Sequence, residues 1–294
     1  MMGERPQQGL SVPALRAGGV DVFIDGTGPE SIVFVHGWPD THRLWDRQVE
    51  ALRGDYRCVR FTLPGFETGK PRRSYPLDAV VEVIRQVVEQ SCAGRPVTLM
   101  LHDWGCFYGY QFALGYPRLV RRLVGVDVGD AGSRRNLQEL TARAKALIVA
   151  YQLWLAAAWR IGGPLGDGMA RTMARVAGAP GDPALIGAQM GYPYYVQWLG
   201  RGFRRARSFR PACPMLFIYG RRKPFMFHSS AWAAEVAAVP CNRVLAFDTG
   251  HWVMVAEPGA FNRAVAEWLA AVDAAALLPG DDARAGAAGQ PPVP

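Results

Sequence analysis

Asp103 is the side chain in this sequence best placed to do chemistry. An apolar run over 97–101 leads into His102, Asp103, Trp104 and Gly105, and a helix-compatible pattern resumes over 107–114. Strand, tight turn and helix in that order hold a reactive side chain on a strained bend above a sheet. A serine on such a bend attacks acyl carbons. A carboxylate can instead displace a leaving group from a saturated carbon and remain as an ester. An Asp at this place also suits an ordinary helix N-cap, with its oxygens spent on backbone N–H groups. The two readings differ in where the carboxylate points. A second titratable group, His251, sits on a glycine-flanked turn after the strand that ends at Phe247. Its imidazole can gain or lose a proton near neutral pH.

Those two groups are about 150 residues apart, so a regular scaffold must bring them together. Apolar strand patterns fall at 20–24, 31–35, 56–61, 97–101 and 120–127, and helical spacing at 41–52, 77–90 and 107–114. Strands alternating with helices predict a mostly parallel, doubly wound sheet with helices on both faces. From 130 to 210 the alternation stops, and helices are expected at 137–161, 169–176 and 192–203 around a Gly/Pro-rich break. The rhythm then resumes, with strands at 214–219 and 243–247 and helices at 229–239 and 259–272. The expected class is therefore α/β. An N-terminal extension (1–19) is followed by a core (20–130 and 211–273) interrupted by a helical cap (131–210), and a disordered Gly/Ala/Pro tail (274–294) closes the chain.

The 294 residues are half hydrophobic, enough for a large core. Five cysteines show no paired spacing, which suits a reducing compartment, and residues 1–19 carry no apolar secretory core. A cytoplasmic location is the expectation. The five histidines lack metal-ligand spacing, so neither metal nor cofactor is expected. The net charge of +8 is concentrated between 131 and 210, where twelve Lys or Arg face Glu139, Asp167 and Asp182. Without a nucleic-acid motif this reads first as a solvated face; contact with an anionic membrane surface is the less favoured reading. Nothing in the sequence fixes an oligomeric state.

HGWP at 36–39, LPGF at 63–66, HDWG at 102–105 and GHW at 250–252 occur in that order with β/α spacing between them. On these motifs the chain resembles the α/β-hydrolase superfamily, specifically its aspartate-nucleophile branch of epoxide hydrolases and haloalkane dehalogenases. The resemblance covers residues from about 20 to 269. It implies that Asp103 is the nucleophile and that His251 is the base that activates water against the enzyme ester. Backbone N–H groups of Trp38 and Trp104 would hold the oxyanion, and His36 and Tyr194 join them as substrate-site residues. Where many relatives carry the third acid, this chain reads Gly220-Arg-Arg-Lys-Pro224, with Lys223 in the slot. The alternative acid at the end of the preceding strand is Asp127, preferred to Asp130 because it ends that strand directly. Cap tyrosines supply the proton when an epoxide opens, and Tyr151 and Tyr195 match best, with Tyr194 next. A phenol is protonated at neutral pH yet acidic enough to help an alkoxide leave; a buried tyrosine can equally be a packing residue.

The resemblance has departures. Trp38 stands where some dehalogenases place an asparagine, Trp104 where defluorinating relatives carry an arginine, and Leu101 is bulkier than usual two residues before the nucleophile. The expected activity is cofactor-independent hydrolysis of a hydrophobic epoxide to a diol. The alternative is a haloalkane dehalogenase using the same Asp103, Asp127 and His251, with Trp104 and one of Trp154, Trp159 or Trp198 on the halide. A third reading, motivated by Lys223, is a fold that binds a small ligand without turning it over.

Overall fold

The computed structural model describes residues 12–200, 202–203 and 205–277. Eight strands form one sheet: β1 (Leu15–Ala17), β2 (Val20–Asp25), β3 (Glu30–Val35), β4 (Tyr56–Phe61), β5 (Val97–His102), β6 (Val120–Val126), β7 (Met215–Gly220) and β8 (Arg243–Phe247). Their spatial order is β1-β2-β4-β3-β5-β6-β7-β8. The pairs β1–β2 and β2–β4 are antiparallel, and every other pair is parallel.

The helices are α1 (Asp46–Leu52), α2 (Leu77–Cys92), α3 (Trp104–Gly115), α4 (Arg134–Glu139), α5 (Ala142–Ile161), α6 (Gly163–Ala177), α7 (Tyr192–Trp198), α8 (Ser230–Ala237), α9 (Val253–Ala256) and α10 (Pro258–Leu277). Because successive strand residues point to opposite faces, each strand feeds two cores. On one face Val33, Val35, Leu99, Leu101 and Phe217 meet α2, α3 and α8. On the other, Ile32, Phe34, Met100, Val124 and Ile218 meet α1, α9 and α10. Parallel strands covered on both faces bury every side chain, as β5 does over all six residues.

Several boundaries differ from the sequence patterns. Residues 15–17, placed in an N-terminal extension, form β1 at the sheet edge; residues 1–11 lie outside those described. The helix expected over 41–52 opens as a 3₁₀ turn, His42–Trp45, before α1. The helix expected at 137–161 is two helices, because the Thr141 hydroxyl caps a new start by accepting the Ala144 N–H at 3.1 Å. The Gly/Pro-rich break is the first turn of α6. Gly162 ends α5 at φ 66°, and Pro164 in the next first turn needs no N–H partner. At the other end α7 stops at Trp198, short of 203. The final helix runs past 272 to Leu277, so residues 274–277 are helix where tail was expected, and 278–294 lie outside the described residues.

Two close approaches fix how α3 leaves β5. A Cβ on Gly105 would lie 2.3 Å from the Val35 carbonyl oxygen, so α3 crosses the end of β3 at backbone contact. A Cβ on Gly109, one turn further, would lie 2.5 Å from Leu101 Cδ2. The bulk of Leu101 thus fills space that a side chain at 109 would take, and the turn stays tight. Gly105→Ala should lower the unfolding free energy by about 1–3 kcal/mol in urea titrations. Gly115→Ala at the end of the same helix, with nothing within 4 Å of its Cβ, should be neutral or stabilising by less than about 1 kcal/mol. Equal effects at the two positions would show that the crossing is not this tight.

Candidate active site

Asp103 sits between β5 and α3 with φ 54° and ψ −122°, an uncommon conformation for a residue with a side chain. Its side chain does not cap the helix it precedes. Oδ1 accepts the Trp38 N–H at 2.7 Å, the Trp104 N–H also reaches the carboxylate, and Oδ2 lies 3.5 Å from His251 Nε2. The Trp38 contact needs Gly37, where a Cβ would fall 2.3 Å from Asp103 Oδ1 and 2.5 Å from the Trp104 nitrogen. Burial pushes the Asp103 carboxyl up, but the His251 hydrogen bond and charge hold it below the ordinary carboxylate value.

The end of β6 repeats the device. Asp127 has φ 70° and is fully buried. Its Oδ2 accepts from His251 Nδ1, and its Oδ1 accepts the Gly220 N–H at 3.0 Å and pairs with the Lys223 ammonium. Burial pushes Asp127 up; the His251 charge and hydrogen bond, with Lys223, bring it down to about 2. Burial likewise pulls the His251 imidazolium down, but Asp127 and Asp103 together raise it to about 9. Asp130 is spent elsewhere: it accepts the Ser229 N–H at 2.6 Å and the Ser229 and Ser133 hydroxyls at 2.8 and 2.6 Å. It fastens the loop after β7 instead of facing the imidazole.

Two other histidines brace this arrangement. His36 is fully buried; its Nδ1 donates to the Gly37 carbonyl at 2.9 Å and its Nε2 accepts the Leu63 N–H at 2.9 Å. With both nitrogens committed to backbone, His36 ties the 36–39 loop to the 63–66 loop and offers nothing to a substrate, which corrects its assignment above. His102 lies with its ring 4.4 Å from that of His251 and its Nε2 3.2 Å from the His251 carbonyl. Burial lowers it to about 3, so it is neutral beneath the imidazolium. Neither His102 nor Asp40, buried and accepting the Trp252 indole N–H at 2.9 Å, was picked out from sequence as part of the site. His102 lies inside the 102–105 motif, and Asp40 directly follows the 36–39 motif.

Aromatic side chains from the helical segment cover the carboxylate. The Tyr194 ring meets Trp38, Trp104 and Tyr151 edge-on, with centroids at 6.0, 5.2 and 5.8 Å. Both Tyr194 and Tyr151 are raised above the ordinary tyrosine value, first by burial, and both feel the Asp103 charge. Tyr195 points the other way. Its ring lies tilted against Trp159 with centroids 4.1 Å apart, because adjacent helical residues diverge by about 100°. The tyrosine beside Tyr151 is therefore Tyr194, not Tyr195. Two of the indoles considered for a halide are occupied, since Trp154 Nε1 donates to Met169 O at 3.0 Å and Trp198 Nε1 to Gln152 Oε1 at 2.9 Å.

The sequence matches the model of the alpha/beta hydrolase family over residues 32–264. The chain belongs to that family. Over 108 residues it is 31% identical to Epoxide hydrolase 1 of Caenorhabditis elegans, a stretch making up 36% of this chain and 26% of that protein. The chain spans about a quarter to a third of the first curated relatives it matches. Among solved structures, this alpha/beta hydrolase superposes on a Bacillus megaterium epoxide hydrolase with an inhibitor at TM-score 0.66 and 22% identity, covering 87% of this chain and 99% of that one. It superposes on a haloalkane dehalogenase variant from Bradyrhizobium elkanii at TM-score 0.62 and 18% identity, covering 89% and 97%. At such identities the likeness concerns the fold. Among the described residues no helix is long and apolar enough to cross a membrane.

The His36 brace sets a pH dependence. Burial lowers its pKa from 6.5 to about 4. As pH falls from about 6.5 the unfolded chain takes up a proton that the folded protein refuses until about pH 4, so stability is lost across that window. His36→Leu should destabilise the protein at pH 7 by about 1–3 kcal/mol, through the unpaired Leu63 N–H and Gly37 carbonyl. Denaturant titrations at pH 7 and 4.5 should show the gap to the unaltered protein narrowing at the lower pH.

Proposed function

We propose that this protein is an epoxide hydrolase that works through an alkyl ester on Asp103. The reading rests on one arrangement: a carboxylate held by the Trp38 N–H on one oxygen, facing His251 Nε2 with the other, beneath Tyr151 and Tyr194. In this reading the two oxygens take different tasks. Oδ2 attacks an epoxide carbon, the carbon–oxygen bond of the ring breaks, and a tyrosine hydroxyl protonates the departing oxygen. Oδ1, already bound by the Trp38 N–H, becomes the ester carbonyl. Water deprotonated by His251 then adds to the ester carbon. The negative charge gathers on Oδ1, where the Trp38 and Trp104 N–H groups stabilise it. Collapse releases the diol and leaves an oxygen from water in Asp103. The proton that His251 sheds on esterification restores the tyrosine, and the one it then takes from water leaves it an imidazolium beside the regenerated Asp103 carboxylate.

The charges fit the order of these steps. With Asp103 ionised, His251 is raised to about 9 and holds its proton. Esterification removes the Asp103 charge, the imidazolium loses one of its two stabilising anions, and its pKa falls as a base becomes necessary. The aromatic covering supports a hydrophobic epoxide as substrate. Asp127 is the acid that orients His251. The inserted helices serve as a cap over the site. Neither cofactor nor metal enters the reaction.

One observation favours a haloalkane dehalogenase as the second reading. Among the described residues the Trp38 indole N–H is buried without a partner and is a candidate halide donor. The tyrosine pair beside Asp103 weighs against it.

His251→Gln should lose about 10²–10⁴-fold in turnover and accumulate protein heavier by the mass of one styrene oxide. Asp103→Asn should show neither adduct nor turnover. Tyr151→Phe with Tyr194→Phe should abolish epoxide opening; if the doubly substituted protein still opens epoxides and also releases halide from a bromoalkane, the dehalogenase reading replaces this one. Unlabelled Asp103 after single turnover in heavy-oxygen water would remove the ester route altogether.

A further inference from the structure

Lys223 lies in the loop after β7 with its side chain 5% exposed, and its ammonium pairs with Asp127 Oδ1. The loop is sewn to the segment that leads to His251: the Arg221 N–H donates to Phe247 O at 2.9 Å and the Arg222 N–H to Thr249 O at 2.8 Å. The ammonium also sits 5.6 Å from the Phe227 ring centroid. Phe227 in turn meets the His251 ring at 5.4 Å. Lys223, Asp127, His251 and Asp103 therefore form one line of alternating charge, positive, negative, positive, negative, fully buried at Asp127 and mostly buried elsewhere.

We infer that Lys223 is a positioning residue that couples proton release from His251 to the charge on Asp103. The inference rests on the ester mechanism proposed above. While Asp103 is ionised the four charges cancel, and the imidazolium is stable. When Asp103 is esterified, the remaining three sum to one buried positive charge. Transfer of the His251 proton to the tyrosinate left by ring opening restores neutrality along the line, which a poorly solvated site strongly favours. Without Lys223 the Asp127–imidazolium pair would already be neutral after esterification, and the proton would stay. Lys223 also fixes the carboxylate's rotation, since Oδ1 is held by Lys223 and Gly220 while Oδ2 is left to His251.

The other groups around His251 do not supply this function. His102 from β5 and His228 beyond Lys223 are both lowered by burial, to about 3 and about 4, and stay neutral. Burial raises Asp40 to about 7, and it is spent on the Trp252 indole N–H, while Asp130 is fastened to Ser133 and Ser229. Burial pulls the Lys223 ammonium below the ordinary lysine value, and Asp127 opposes that pull.

The test compares Lys223→Met, Lys223→Gln and Lys223→Arg with the unaltered protein. The His251 ring pKa is read by NMR in the free protein, and the rates of alkylation and ester hydrolysis are read in single turnovers with styrene oxide. In the Met and Gln variants the His251 titration and the acid limb of hydrolysis should both rise by about one pH unit or more. Hydrolysis at pH 7 should slow about tenfold for each unit, with alkylation little changed. Lys223→Arg, which keeps the charge, should stay near the unaltered profile. An unchanged His251 titration in both neutral variants overturns the inference. If neither neutral variant folds, the nitrogen resonance of Lys223 in the unaltered protein decides: a charged ammonium across the His251 titration supports the coupling, and a neutral amine overturns it. Absence of styrene oxide turnover in the unaltered protein would count against the ester mechanism alone, because the imidazole titration needs no substrate.

Discussion

The 36–38 backbone and the 103–105 backbone approach each other so closely that neither Gly37 nor Gly105 has room for a Cβ. The rest of the site depends on this contact. It brings the Trp38 N–H, in the loop after β3, onto Asp103. It also explains why Asp103 tolerates a positive φ. The strain is held by a packed crossing of α3 over the end of β3, with His36 locking the opposing loop from behind. A side chain at either glycine would move the donor and the carboxylate apart before it disturbed the hydrophobic core.

Parallel strands place their carboxyl ends on one side of the sheet, and this protein uses four adjacent ends in sequence. Asp103 follows β5, Asp127 follows β6, Lys223 comes after β7 and His251 after β8. Both carboxylate residues sit at positive φ, so each turns its side chain away from the strand direction and toward the imidazole. The charges alternate in space although the residues are scattered over about 150 positions of sequence. Each ion is therefore flanked by its opposite, and the buried group costs far less than four isolated ions would.

The sheet was legible because its strands are short apolar runs bounded by turn residues, and because α2 and α10 carry one clear apolar side. Helix boundaries were less so. Gly162 and Pro164 look like a break, yet one ends α5 and the other opens α6. In the site, the motifs located Asp103, His251 and Trp38 at strand ends, since loops there are short and glycine-marked. Orientation about a helix was harder: Tyr194 and Tyr195 are neighbours in a run of aromatics, and only the packing of α7 against α5 decides which faces Trp104. In the sequence Lys223 reads as an absent acid. Its meaning depends on Asp127, 96 residues away, and no local pattern carries that relation.

Leu101 and Gly109 share one volume between them. Because the isobutyl group occupies the space beside the α3 backbone, neither position can drift alone: a small residue at 101 leaves a void under the bend, and any side chain at 109 collides with the leucine. Exchange of bulk between the two has to pass through one of those poor intermediates. Such a coupled pair would resist piecemeal change and would vary jointly among descendants of this chain, keeping the bend beneath the carboxylate intact while surrounding surface residues diverge.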